Sequence, residues 1–317
     1  PAPGEALVRV RAAGICGGDL HEFRAGRQLY AVPYPRPPQG HELAGEVVSV
    51  GAGVDRVAAG DRVAVMPMVS CGACELCRGG RFSLCPALEH IGVARSGGFA
   101  ELCVAPAENL YRLPPGIDFG EAALLDCTAV AVHAVHRAPV RPGIHVAVLG
   151  AGAIGQAVAQ VARAAGGRVT VVGTRAGPLA LARQLGADET IDLGAAQAPP
   201  ELVDVVFETA GGPRQLERAA AAARPTGLLA IVGESFERET LDVAAAMSKE
   251  LTIAFVWSYD RWNGVDEYPR AIELVAGGSV QLEPIVTHRF PLESIVEAYE
   301  TASDRARSGA LKVLVTG

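Results

Sequence analysis

The sequence predicts an α/β chain, a β-rich N-terminal domain followed by a doubly wound parallel sheet, and two textures predict it. Residues 1–112 hold short β-branched runs, ALVRV at 6–10, AGEVVSV at 44–50 and DRVAV at 61–65. Gly and Pro punctuate them heavily, as in VPYPRPPQG at 32–40, which suits a small irregular barrel. Beyond residue 120 apolar strands alternate with helical stretches. That alternation predicts parallel strands with helices on both faces.

The elements follow in order. Residues 121–136 read as helix, 144–149 (IHVAVL) as a buried strand, 150–165 as helix and 168–172 (RVTVV) as the next strand. Helices are expected at 179–186 and 214–223, and strands at 203–208 (VDVVFE), 228–232 (LLAIV) and 251–257 (LTIAFVW). A length of 317 residues favours two domains.

Composition narrows the classes. Half of the residues are hydrophobic, 20% are charged and the net charge is −7, a soluble globular balance. The acidic excess argues against a nucleic-acid or anionic-membrane binder, and no apolar run is long enough to span a bilayer. The chain begins at Pro1 rather than Met, so its natural start is expected upstream and a removed targeting segment stays open. Four of the seven cysteines crowd into one short stretch, which reads as metal ligation in a reducing, cytoplasmic setting.

Cys71, Cys74, Cys77 and Cys85 are spaced as a closed four-thiolate zinc site, with no open position for chemistry. Gly72, Gly79 and Gly80 let the backbone wrap the ion. An iron–sulfur cluster would use the same donors, but nothing else in the chain suggests electron transfer. A second set is weaker when each piece stands alone: GICGGDLH at 14–21 carries Cys16, Asp19 and His21, and GHE at 40–42 carries His41 and Glu42. Together they offer a thiolate, an imidazole and carboxylates, the donors of a catalytic zinc with an open position.

Gly150-Ala151-Gly152-Ala153-Ile154-Gly155 follows a predicted strand and opens a helix, the context in which this spacing binds a dinucleotide. The helix N-terminus then faces the pyrophosphate. After the next strand stand Gly173, Thr174 and Arg175, where an NAD enzyme usually carries an acid. Arg175 suits a 2′-phosphate, so NADP is favoured over NAD.

These motifs, with GGFAE at 97–101, occur in the order and spacing of the zinc-containing medium-chain dehydrogenase/reductase family, which the chain resembles throughout. Closest in pattern is the polyol, butanediol and threonine dehydrogenase branch. The resemblance implies a GroES-like catalytic domain at residues 1–127 and 263–317 and a Rossmann domain at 128–262. It implies Cys16 and His41 as catalytic-zinc ligands, with Glu42 able to exchange on and off the metal. The third ligand is Asp126 by ungapped matching, or Cys127 after a one-residue slip. Asp19 would hydrogen-bond the liganding His. The family's usual Ser or Thr, two residues past the first Cys, is Gly18 here, so its proton relay passes to water, to the substrate or to His21.

The implied function is hydride transfer between a secondary alcohol, a polyol, diol or amino alcohol, and NAD(P), with two zincs per chain. The reacting groups would be aligned in a cleft between the domains that closes to exclude water. A homodimer or homotetramer is implied, through the strand at 251–257. Phe23, His90, Trp257, Tyr259 and Trp262 are candidate pocket residues. The rival readings are a zinc-free quinone or enoyl reductase and a catalytically silent NAD(P)-binding protein.

Overall fold

The structure, a computed structural model, describes residues 1–26, 37–194 and 202–317. Residues 32–36 of the Pro-rich stretch therefore lie outside the described residues. The chain divides into two compact units, Pro1–Asp126 with Asp260–Ala276 and Leu282–Gly317, and Cys127–Tyr259 with Gly277–Gln281.

The first unit opens with β1 (Glu5–Gly14), α1 (Gly17–Ala25), β2 (Glu42–Val50), β3 (Arg62–Val65), β4 (Met68–Val69), α2 (Glu75–Arg78), β5 (Glu89–His90), β6 (Leu102–Pro106), β7 (Leu110–Arg112) and α3 (Phe119–Ala123). Then α4 (Leu125–His136) crosses into the second unit. That unit continues with β8 (His145–Leu149), α5 (Ala153–Ala164), β9 (Arg168–Gly173), α6 (Ala176–Gln184), β10 (Glu189–Asp192), β11 (Val203–Glu208), α7 (Gln215–Ala222), β12 (Ala223–Ile231), α8 (Val243–Ser248) and β13 (Thr252–Phe255). The chain returns to the first unit through β14 (Arg261–Trp262), β15 (Val265–Asp266) and α9 (Glu267–Ala276), and ends with β16 (Val286–Pro291), α10 (Ile295–Ser303), α11 (Arg305–Ser308) and β17 (Lys312–Thr316).

The first unit is built on β1. One of its sides pairs with β2 along nearly its whole length, while the other is shared, β6 pairing with Glu5–Arg9 and β17 with Ala12–Gly14. The ladder order is β16-β17-β1-β2-β3-β7. Alternate residues Ala6, Val8 and Val10 point inward against Leu43, Val47, Val63 and Val65, the period of two that a one-sided strand requires. A second cluster seats α1 and α10 on the C-terminal strand through Leu20, Ala298, Tyr299 and Val313. The second unit is a six-stranded parallel sheet of order β10-β9-β8-β11-β12-β13. Its central strands are buried on both faces, which is why they read as unbroken apolar runs.

Three departures from the sequence reading have identifiable reasons. The helix expected at 121–136 is two helices, because Leu124 leaves the helical region (φ −89°, ψ 1°) after a short capped turn. Asp118 and Glu121 form that cap reciprocally, at 2.7 and 3.3 Å. The helix expected from 150 begins at Ala153, since Gly150 sits at φ +109°, a conformation open to glycine, and Gly152 is the N-cap. The strand β10 lies in a polar stretch (ETID) without an apolar run to announce it.

Candidate active site

Sheet register assembles the first group of donors. β1 runs out at Gly14, directly opposite Glu42 at the start of β2. A Cβ on Gly14 would overlap the Glu42 carboxylate, so glycine there lets the acid lie flat against the end of β1. Two residues on, Cys16 is the N-cap of α1, and its N–H donates to the Asp19 carboxylate at 2.9 Å. The GGFAE segment fixes the approach to His41: Gly97, Gly98 and Phe99 donate to the carbonyls of Pro38, Gly40 and Gln39 at 2.7–2.8 Å. The result is a trio, Cys16, His41 and Glu42, whose donor atoms all lie within 4.8 Å of one another.

The charges around the trio are unbalanced. Burial pushes the Cys16 thiol well up, and the Glu42 and Asp19 carboxylates push it further, against the pull of Lys312. Burial works against a charged His41 ring, yet Asp19, Asp126 and Glu42 outweigh it and raise its pKa. His41 Nδ1 stands 4.0 Å from Asp19 and makes no hydrogen bond among the described residues, so the expected Asp19–His41 hydrogen bond is not formed. His90 sets its ring edge-to-face on His41, 5.2 Å between centroids, and burial together with His41 drops its pKa to about 3. A thiol, an imidazole and several buried acids in one place form a donor set that a divalent cation neutralises.

Glu42 itself is held by a residue that the sequence reading missed. Lys312, at the start of β17, donates to both Glu42 oxygens at 2.8 and 2.6 Å and to the Ile15 carbonyl at 3.2 Å. Both partners are buried. A signal existed: of the 28 cationic side chains, only Lys249 and Lys312 are lysines, and Lys312 opens an apolar strand.

The remaining predicted residues fall as follows. Asp126 sits in the first turn of α4, outside the trio's 4.8 Å group, although its charge acts on His41 and on the buried Tyr268. Cys127 is buried in the same helix. His21 is half-buried on α1 and outside the trio. Among the suggested pocket residues His90 meets His41, whereas Phe23 packs on Tyr299 (5.1 Å) and Trp262 lies under Arg81 (5.1 Å). Tyr259 is fully buried and Trp257 is half-exposed.

The cysteine lobe closes on itself. The four sulfurs lie within 4.8 Å of one another, with Cys71–Cys77 at 3.9 Å and Cys74–Cys85 at 4.0 Å. A tetrahedron with Zn–S bonds of about 2.3 Å has edges of about 3.8 Å, so the cage has the right size. Backbone N–H groups point at the sulfurs: Cys74 N to Cys71 Sγ and Cys77 N to Cys74 Sγ, both 3.4 Å. Such donors favour thiolates, and N–H groups of Ala73 and Cys74 lower Cys71 to about 6, while burial raises Cys77 to about 11. Asp260, wholly buried, anchors the lobe by accepting from Ser83 N (2.7 Å), Ser83 Oγ (2.9 Å) and Arg81 Nε (3.2 Å). Only the structure could bring residue 260 to this lobe.

In the second unit the glycine turn joins β8 to α5. A Cβ on Gly155 would overlap the Gly150 carbonyl oxygen, whereas nothing lies within 4 Å of one on Gly152. Packing thus explains Gly155, and Gly152 presents open backbone at the helix N-terminus, a geometry suited to phosphate oxygens. Thr209 Oγ1 donates to the carbonyls of Leu149 and Gly150, both at 3.0 Å, and sets the turn. Gly173 ends β9, Thr174 is exposed, and Arg175 is the half-buried N-cap of α6.

Known proteins carry the same plan. Residues 2–115 match the alcohol dehydrogenase GroES-like domain, and residues 153–277 match the zinc-binding dehydrogenase family. A sorbitol dehydrogenase of Bacillus subtilis (strain 168) is 36% identical over 98% of this chain and 90% of its own. Among solved structures, a zinc-binding dehydrogenase of Sinorhizobium meliloti 1021 bound to NADP superposes with a TM-score of 0.90 at 31% identity, covering 100% of this chain and 93% of that one. The galactitol-1-phosphate dehydrogenase of Escherichia coli does so with 0.89 at 32% identity, covering 100% and 94%. With both donor sets and the dinucleotide turn in place, the chain belongs to the zinc-containing medium-chain dehydrogenase/reductase family, in its polyol dehydrogenase branch.

Proposed function

We propose that this chain is a zinc-dependent alcohol dehydrogenase that transfers a hydride between a secondary alcohol, of the polyol, diol or amino-alcohol kind, and NADP. The observation that carries the reading is the Cys16–His41–Glu42 trio, a convergent donor set in a chain that also carries a dinucleotide turn. A zinc-free reductase has no use for that trio. When bound, zinc supplies the positive charge that acidifies an alcohol oxygen, and the nicotinamide accepts the hydride.

The chain's own residues have separable tasks. Cys16 and His41 would hold the metal, and Asp126 is proposed as the third ligand because its charge already reaches His41. Asp19 acts on the His41 ring through its charge from the Nδ1 side, at 4.0 Å. Lys312 keeps Glu42 occupied, so that Glu42 reaches the metal only when that ion pair loosens. His90 stays neutral against His41 across the working pH range, so it adds no positive charge beside the cation site. Gly18 has no side-chain hydroxyl to relay a proton, which leaves water, the substrate's own hydroxyls or His21 for that role.

Four finer points belong to the same reading. A second zinc fills the cysteine lobe and shapes it without chemistry, because four thiolates leave no open position. NADP is favoured because no acid follows β9 and Arg175 stands there; the similar S. meliloti structure is bound to NADP. A homodimer or homotetramer is expected to form through β13, an edge strand that ends at exposed Phe255 and is followed by exposed Trp257. Among the described residues no helix is long and apolar enough to cross a membrane, and thiolate metal sites suit the cytoplasm.

The test is a panel of polyols, vicinal diols and amino alcohols with NADP and with NAD, following nicotinamide absorbance. Turnover with at least one member, lost on chelation and restored by zinc, supports the reading. Full turnover by Cys16→Ser would refute it.

A further inference from the structure

The glycine turn and the turn after β9 are joined by a side chain outside the dinucleotide fingerprint. Gln156, in the first turn of α5, is completely buried. Its amide nitrogen donates to the Ala151 carbonyl at 3.2 Å and to the Pro178 carbonyl at 2.8 Å. Ala151 belongs to the glycine turn, and Pro178 lies in the first turn of α6, whose N-cap is Arg175. Both amide hydrogens are used. Reversing the amide would set its oxygen against two carbonyl oxygens, so the orientation is fixed.

That orientation leaves Gln156 Oε1 buried without a protein hydrogen bond among the described residues. A methionine or leucine would fill the same space without burying an acceptor. What the glutamine contributes is therefore its two N–H bonds rather than its bulk. The segments it joins already touch: a Cβ on Gly173 would lie 3.2 Å from Ala151 Cβ and 3.2 Å from Leu179 Cδ2. The glycine turn, the end of β9 and the start of α6 form one block, with Gln156 as its polar tie.

We propose that Gln156 is a positioning residue for cofactor selection, fixing the first turn of α6 so that Arg175 meets the 2′-phosphate of the adenosine ribose. This rests on the NADP reading above. The pyrophosphate is received by the N-terminus of α5 itself, a rigid helix end. The 2′-phosphate contact depends instead on a directional guanidinium pairing from the N-cap of a different helix. Loosening α6 relative to the glycine turn therefore costs the second contact more than the first.

The probes are 2′,5′-ADP and 5′-AMP, which lack the nicotinamide, titrated calorimetrically into native protein, Gln156→Met, Arg175→Ala and the double variant. Gln156→Leu is measured beside Gln156→Met, and thermal melting verifies that each variant is folded. Native protein should prefer 2′,5′-ADP by about tenfold or more. Each single change should reduce that preference by about threefold or more, and the double variant should fall no further than Arg175→Ala, because Gln156 acts through Arg175. If Arg175→Ala lowers the preference while the Gln156 variants keep it, or weaken both probes equally, the inference is overturned and the NADP reading stands. If the double variant falls further than Arg175→Ala, Gln156 does not act through Arg175 and the inference is again overturned. If native protein shows no preference, or Arg175→Ala leaves it unchanged, the NADP reading fails and the inference with it.

Discussion

Replacing Lys312 by Met tests whether the Glu42 pair is as buried as the geometry makes it. The methionine keeps the stem and removes three N–H contacts, to both Glu42 oxygens and to the Ile15 carbonyl. Glu42 is then left charged, 1% exposed, beside a Cys16 thiol whose pKa it already raises. Removing one partner of a buried pair costs about 3–5 kcal/mol, against about 0–1 kcal/mol for an exposed pair. Urea unfolding of the chelated protein should show a loss in the first range. Glu42→Gln added to Lys312→Met should recover part of it, because no uncompensated charge remains. Excess zinc should also shrink the loss, since a bound cation takes over the neutralising role. A loss below about 1 kcal/mol in chelator would contradict a dry, buried pair and place water at it.

Other expectations follow from single contacts. Lys249 donates to the carbonyls of Ala220, Ala221 and Ala223, at 3.0, 3.2 and 2.8 Å, around the C-terminal end of α7. Lys249→Met should therefore cost about 1–2 kcal/mol in thermal unfolding, and no change would show those contacts to be idle. Gly155→Ala should abolish dinucleotide binding in calorimetry, because the added carbon overlaps the Gly150 carbonyl; native affinity would contradict the packing account. Burial raises the Glu208 carboxyl pKa, with Ala210 and Gly211 N–H groups opposing. A raised acid pKa gives stability that is present at low pH and lost as pH rises through the folded value. Glu208→Gln, whose amide oxygen can keep both bonds, should thus gain stability over native protein as pH rises above the ordinary carboxylate value in urea titrations, and a pH-independent difference would overturn that sign. If the proposed oligomer forms through β13, Phe255→Glu with Trp257→Glu should shift it to monomer in sedimentation, and an oligomer unchanged by both substitutions would remove β13 as the interface.

How much was legible depended on how far the interaction reached along the chain. The cysteine lobe and the glycine turn are local, and each could be read from spacing because its backbone folds on its own residues. The buried strands were legible because parallel sheets need apolar residues on both faces. The Gly14–Glu42 register and the Lys312 pair were not, since the first is set by how β2 pairs with β1 and the second forms only when β17, from the far end of the chain, joins β1. Asp260 was invisible for the same reason, as an acid whose partners at 81 and 83 lie across the fold. The break at Leu124 was hidden in an unbroken helix-forming stretch, and it is this break that presents Asp126 in the first turn of a new helix.

The proposed chemistry requires two metal sites, one of them built on Cys16 and His41. The measurement is elemental zinc per chain on native protein, Cys16→Ser and Cys71→Ser. About two zincs in native protein, and about one in each variant, is the predicted result. One zinc in both native protein and Cys16→Ser would mean that only the cysteine lobe binds metal, and would contradict the proposed chemistry.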